Sequence, residues 1–203
     1  AIFSGNLINL DAQKVRQKSF CQNELKIKIM GGSLGAKLIN TTMPKVFSKL
    51  SQEFPEFKFF VSHQCGIGNL EETKSHYDLI DRVFDLSLFE FEESMENFYS
   101  DADLIISRSG ALSVSEICET QNIAVFIPLK SSIDNHQYEN AKYLVEKDSA
   151  FLCEEDCLEE NLLKLMREIV NDPKVLQEMK RNISEVSLTD NKKIILKNSL
   201  SYE

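Results

Sequence analysis

The sequence predicts an α/β fold: a Rossmann-like parallel sheet of about six strands with helices on both faces, followed by further helices. Three observations carry this expectation. Short runs rich in β-branched and aromatic residues alternate with longer stretches of helical periodicity, the pattern of βαβ units. Glycine-containing turns stand directly between two of these runs and the helix that follows, as tight strand-to-helix connections require. The 203 residues suffice for one ordinary domain with additional helix, or for a piece of a larger two-domain protein.

The strand candidates are 25–30 (Leu-Lys-Ile-Lys-Ile-Met), 57–62, 83–88, 103–107, 123–127 and, more weakly, 150–153. The helix candidate 35–50 carries Leu38, Ile39, Phe47 and Leu50 on its apolar side. Pro44 lacks the N–H that the helical ladder needs, so a kink or restart is expected there. Helical stretches at 69–79, 93–100, 112–120 and 136–147 separate the later strands. In 158–171, apolar residues at 158, 162, 163, 165, 166, 169 and 170 give amphipathic helix spacing,. Pro173 opens a second helix reaching 185, in a position where its missing donor costs nothing. A third is expected over 189–200 after a Thr/Asp cap signal. The expected organisation is a connector over 1–23, a Rossmann-like domain over 24–155 and a helical segment over 156–203 that packs back on it.

Composition removes several classes. Seven glycines, four prolines and 42% apolar residues exclude collagen-like and disordered chains,. No apolar run approaches the roughly 20 residues of a spanning helix. No charged-then-apolar leader is expected in the opening residues, and a first residue Ala1 in place of Met suggests that sequence upstream is missing. The net charge of −9, from 23 Lys+Arg against 32 Asp+Glu, has the wrong sign for free-standing binding to nucleic acid or an anionic membrane. The five cysteines, at 21, 65, 118, 153 and 157, form no CxxC pair. They read as reduced thiols of a cytosolic protein, mostly core filler, and no metal site is expected.

Three segments can carry chemistry. Gly31-Gly-Ser-Leu-Gly35 follows the first strand and precedes a helix, where glycines allow close backbone approach and helix N–H groups face an anion. Ser33 adds a hydroxyl donor, but it stands where GxGxxG needs glycine, and the Gly-Lys-Ser/Thr of a P-loop is missing. Gly32 and Ser33 are therefore phosphate candidates, or parts of a turn that needs glycine for geometry alone. Ser107-Arg-Ser-Gly-Ala-Leu-Ser-Val-Ser-Glu116 repeats the logic after the fourth strand, at the sheet edge where open α/β folds bind ligands. Here Glu116 either binds a ribose diol or places favourable charge near a helix N-terminus. Arg108 either touches phosphate or braces the loop against an acid. The third, Pro128-Leu-Lys-Ser-Ser-Ile-Asp-Asn-His-Gln137, reads as a sugar-hydroxyl site or as a helix cap by Asp134 or Asn135. His63, and the Phe91-Glu92 pair after the third strand, complete the same rim. His63 alone reads as structural more readily than as catalytic.

Together and in this order, these segments resemble the C-terminal half of the MurG-type peptidoglycan N-acetylglucosaminyltransferases of glycosyltransferase family 28. The resemblance runs over Gly5-Asn6, Gly31-Gly-Ser-Leu-Gly-Ala-Lys-Leu-Ile-Asn40, Met43-Pro44, Ser62-His-Gln-Cys-Gly66, Glu90-Phe91, Ala102-Asp103, residues 108–117, Asp134-Asn-His-Gln137 and Asn140-Ala141. It implies a GT-B enzyme with two Rossmann-like halves. The C-terminal half binds UDP-N-acetylglucosamine, and the sugar passes with inversion to the undecaprenyl-linked acceptor lipid I, giving lipid II. By resemblance, Gly32 and Ser33 would meet the phosphates, assisted by Arg108. Phe91 and the Glu92 backbone would hold uracil. Ala111, Leu112, Ser113, Val114 and Ser115 would offer the helix N-terminus to the diphosphate, Glu116 would bind ribose, and Asn135, His136 and Gln137 would read the sugar. His63 is a further candidate.

The resemblance implies no cofactor and no metal, and a catalytic base in an N-terminal half that is missing here. Lipid I and the membrane would be met only through that half, on the cytoplasmic face of the inner membrane of a bacterium. Such families usually read Gly-Asn-Pro-x-Arg at the connector. Asn9 stands in place of that Arg, so donor binding is expected to be weaker by about 1–2 kcal/mol if a charge-assisted bond is lost. Two other readings compete: a non-catalytic or partner-dependent UDP-sugar-binding module, and a UDP-N-acetylglucosamine 2-epimerase-like enzyme, whose acids and histidines for anomeric chemistry this motif set does not supply.

Overall fold

The computed structural model describes residues 10–16, 20–132 and 135–186. The helix expected over 189–200 and the Gly5-Asn6 and Asn9 positions lie outside the described residues. Among the described residues six strands build one parallel sheet: β1 (Glu24–Met30), β2 (Lys58–Gln64), β3 (Asp85–Phe89), β4 (Leu104–Ser107), β5 (Ala124–Phe126) and β6 (Ala150–Leu152). Their order across the sheet is β3-β2-β1-β4-β5-β6. The connections from β1 therefore run one way to the β3 edge, and the chain then returns to β4 and runs the other way. The reversal falls between β1 and β4, where doubly wound sheets open a crevice at their carboxyl edge.

Among the described residues seven helices join and follow the strands: α1 (Lys37–Glu53), α2 (Leu70–Asp78), α3 (Met95–Tyr99), α4 (Ala111–Glu119), α5 (His136–Val145), α6 (Leu158–Asn171) and α7 (Lys174–Glu185). Alternation in β1 sends Leu25, Ile27 and Ile29 to one face, where they meet α1 and α6 in a single apolar cluster,. The central strand β4 is buried at all four positions, as a strand covered on both faces must be. A second cluster on the other face joins Ile105, Ala124 and Phe126 to Phe98, Tyr99, Ile117 and Leu144. Leu10 and Val15 from the connector enter that cluster, on either side of a short 3-10 turn at Ala12–Lys14.

Pro44 lies inside α1, which continues through it to Glu53 without restarting. The ladder forgoes the proline's bond, and the helix is held by burial of Met43, Val46, Phe47 and Leu50 along the face that meets the sheet. Phe47 packs between Phe59 and Phe84, with ring centroids 6.2 and 5.8 Å away. β2 runs two residues beyond its expected end, because His63 and Gln64 are buried and keep the ladder with β1 and β3. Cys65, Cys118 and Cys153 are buried, Cys21 and Cys157 exposed, and all five are free thiols.

Candidate functional site

Met30 and Ser107 are paired in the register of β1 and β4, so the two glycine turns that follow them leave the sheet side by side at the reversal point. In the first turn Gly35 N donates to Gly32 O at 2.9 Å. A Cβ on Gly31 would stand 2.4 Å from Ala36 N, and one on Gly35 (φ +75°) 2.0 Å from Cys65 O. These glycines are required by packing. Gly32 (φ +88°) differs: nothing lies within 4 Å of where its Cβ would be, and Ser33 beside it is exposed. Its backbone is thus presented to open space.

The turn is locked to the one after β2. Ile67 N donates to Ser33 O at 3.1 Å, and Asn69 Nδ2 to Leu34 O at 2.9 Å. A Cβ on Gly66 (φ +90°) would lie 2.2 Å from Gly35 N, so neither glycine has room for a side chain. The loop after β3 closes on the same turn: Gly66 N donates to Glu90 O and Gly68 N to Glu90 Oε1, at 3.1 and 2.8 Å. Phe91 is exposed next to it, and Glu92 Oε1 accepts from Ser94 N at 3.1 Å at the start of α3.

The second turn ends at Gly110, the N-cap of α4, where no side chain caps the helix. The first bond of the helix runs from Val114 N to Gly110 O. The amides of Leu112 and Ser113 donate to nothing among the described residues, so this helix end keeps its capacity to bind an anion. One turn further in, Glu116 is nearly buried, and its Oε2 accepts a 2.9 Å hydrogen bond from the Tyr99 hydroxyl of α3. Burial raises the Glu116 pKa above the ordinary carboxylate value, with the Tyr99 bond opposing and nearby Glu96 reinforcing,. The arrangement holds one carboxylate oxygen of Glu116 in a fixed orientation. Tyr99 carries no signal in the sequence that would mark it for this role.

Arg108 braces the loop in this structure. Its Nη2 pairs with Glu155 Oε1 at 2.7 Å and its Nη1 donates to Ile127 O at 3.1 Å, with only 13% of the side chain exposed. Glu155 also accepts from Lys130 N at 3.0 Å through Oε2. Lys130 in turn is bound to Asp156 at 2.8 and 2.6 Å. Both cations of the loops after β4 and β5 are therefore paired with carboxylates of the same region.

In the third segment, Asp134 lies outside the described residues. Asn135 is the N-cap of α5 by position, with φ +57° and no side-chain cap bond. His136 is exposed. Gln137 points its Oε1 back to Leu129 N at 3.0 Å and so holds the loop after β5. Asn140, outside the sequence-derived set of site residues, donates from Nδ2 to Ser109 O at 3.0 Å and ties α5 to the second glycine turn. His63 is fully buried with both ring nitrogens bonded inside the protein. It offers no atom to a ligand, which corrects its place among the candidates.

Comparison with known proteins identifies the family. The chain matches the glycosyltransferase family 28 C-terminal domain over residues 26–195. It is 36% identical over 167 residues to the UDP-N-acetylglucosamine–N-acetylmuramyl-(pentapeptide) pyrophosphoryl-undecaprenol N-acetylglucosamine transferase of Shewanella denitrificans, covering 82% of this chain and 45% of that protein. To the enzyme of the same name from Francisella tularensis it is 35% identical over 199 residues, 96% of this chain and 51% of the relative. Among solved structures, MurG of Acinetobacter baumannii superposes with a TM-score of 0.76 at 32% identity, covering 86% of this chain and 49% of that one. UDP-GlcNAc 2-epimerase of Neisseria meningitidis, at 16% identity and a TM-score of 0.58, shares the fold alone. The chain spans about half the length of the curated relatives it matches. With the motif order, the sheet reversal and these matches in agreement, the chain belongs to glycosyltransferase family 28 and carries its C-terminal domain.

Proposed function

We propose that this chain is the donor-binding half of a UDP-N-acetylglucosamine-dependent N-acetylglucosaminyltransferase that passes the sugar, with inversion, to lipid I in peptidoglycan synthesis. The observation that carries the reading is the pairing of Met30 with Ser107, which sets the open backbone at Gly32 beside the uncapped N-terminus of α4. In the reading, Gly32, Ser33 and the amides of Leu112 and Ser113 hold the diphosphate. Glu116 takes the ribose diol, the backbone at Phe91 and Glu92 takes uracil, and Asn135 and His136 face the transferred sugar.

Departure of UDP builds charge on the β-phosphate. Fixed amides and a helix terminus oppose that charge without reorganising, each terminus contributing about 0.3–2 kcal/mol depending on burial. The reading therefore assigns the reaction no metal and no cofactor. The base that activates the acceptor hydroxyl belongs to the remaining half, as do acceptor recognition and contact with the cytoplasmic face of the membrane. No helix among the described residues is long and apolar enough to cross a membrane.

Calorimetric titration with UDP, followed by a transfer assay with an acceptor half added in trans, tests the proposal. Saturable UDP binding and turnover only in the mixture are expected. A chain that does not bind UDP contradicts it.

A further inference from the structure

Beneath the interlocked glycine turns lies a buried polar chain that donor binding does not itself use. It joins Asn40 on α1, His63 on β2 and Tyr77 on α2, all buried. Asn40 Nδ2 donates to Cys65 O at 2.9 Å. That bond orients the amide, so its Oδ1 is the atom 3.1 Å from His63 Nε2. An amide oxygen can only accept, so the imidazole proton sits on Nε2. Nδ1 then carries the ring's lone pair, and the Tyr77 hydroxyl, 2.9 Å away, donates to it,. Every donor points the same way: Tyr77 to His63, His63 to Asn40, Asn40 to the Cys65 carbonyl. That carbonyl is the wall against which Gly35 closes, with room for a hydrogen and no Cβ.

We infer that His63 is a positioning residue of the donor site: held as the Nε2-protonated neutral tautomer, it links α2 and α1 to the Cys65 carbonyl and so fixes the turn that presents Gly32 and Ser33. This rests on the reading of that turn as a phosphate cradle. A side chain that filled the same volume without the two hydrogen bonds leaves Tyr77 and Asn40 each with a buried unpaired group, and the turn loses its fixed support. The effect falls first on the diphosphate, because Gly32 and Ser33 belong to the supported turn itself, whereas ribose is held from α4 and the uracil loop is tied to that turn only indirectly, through Glu90.

The test uses the whole chain with three substitutions, His63→Leu, His63→Gln and Tyr77→Phe. The glutamine amide can reach the Nε2 position and donate to Asn40. UDP and uridine affinities are measured for each variant that unfolds cooperatively, and the ring tautomer of the parent is read from its imidazole ¹⁵N shifts. The expected pattern is a loss of about 10-fold for UDP in His63→Leu, uridine changed by less than about 2-fold, and recovery to within about 3-fold in His63→Gln. Tyr77→Phe loses UDP affinity several-fold with uridine unchanged, and decides the matter if His63→Leu does not fold. Equal losses for UDP and uridine, unchanged UDP binding in His63→Leu, or an Nδ1-protonated ring overturns the inference. A parent that binds UDP no better than uridine contradicts the phosphate cradle instead, and the tautomer measurement still decides the hydrogen-bond relay.

Discussion

The hydroxyl of Tyr99 donates to Oε2 of Glu116 across 2.9 Å, joining the short helix after β3 to the helix that follows the second glycine turn. A nearly buried carboxylate is thereby aimed by a neighbour that the rest of the site does not need. Removing the carboxylate, Glu116→Ala, is expected to weaken UDP binding about 10- to 150-fold, the range of hydrogen bonds to a charged group. Tyr99→Phe keeps the carboxylate and loses only its orientation, so a smaller loss of about 2- to 12-fold is expected. Calorimetry on both variants checks the order. UDP affinity equal to the parent's in Glu116→Ala removes the ribose role.

The glycines of the first turn separate by mechanism. Gly35→Ala forces a Cβ into the Cys65 carbonyl at positive φ and is expected to cost about 2–5 kcal/mol of stability, from left-handed strain plus overpacking. Gly32→Ala meets open space, so only the strain of about 1–2 kcal/mol is expected, together with weaker UDP binding. Urea denaturation and titration of both variants distinguish packing from ligand approach.

Arg108 and Glu155 form a brace with little solvent access. Arg108→Met strands the carboxylate and is expected to cost about 2–4 kcal/mol, below the fully buried range because both side chains keep some exposure. Adding Glu155→Gln, which keeps an acceptor for Lys130 N, restores at least half of that. UDP affinity per folded molecule stays within about 3-fold. A selective loss of UDP binding with stability unchanged returns Arg108 to the phosphate.

Most of the architecture is legible in the sequence because its signals are local. The Leu-Lys-Ile-Lys-Ile alternation of β1, the glycines after β1 and β4 and the apolar spacing of α6 each declare an element within a dozen residues. What is not legible depends on partners far away in the chain. Whether Arg108 braces or binds is decided by Glu155, 47 positions on. The polar look of His63-Gln64 suggests a loop, yet both are buried and stay in the strand, with His63 bonded to Asn40 and Tyr77. Pro44 signals a break that the apolar face of α1 overrides. That the amide oxygen of Gln137 is engaged by Leu129 N, eight positions back, is likewise invisible in the sequence.

Burial also sets a pH response. Desolvation lowers the His63 pKa from 6.5 to about 3, so between those values the unfolded chain binds a proton that the folded chain refuses. The stability contributed by the neutral ring is complete above pH 6.5 and is lost progressively as pH falls toward 3. About 2 kcal/mol is expected to be lost from this group by pH 5. Denaturation midpoints of the parent and His63→Gln, compared at pH 7.5 and pH 5 at constant ionic strength, check the sign: the parent loses more than the variant.

The claim on which the rest depends is that the turns after β1 and β4 jointly hold one diphosphate. Mapping backbone amide shifts during UDP titration tests it most directly. The account predicts that Gly32, Ser33, Leu112 and Ser113 move together along one binding curve, with uridine leaving all four nearly in place. UDP binding that moves neither turn, or only one of them, contradicts it.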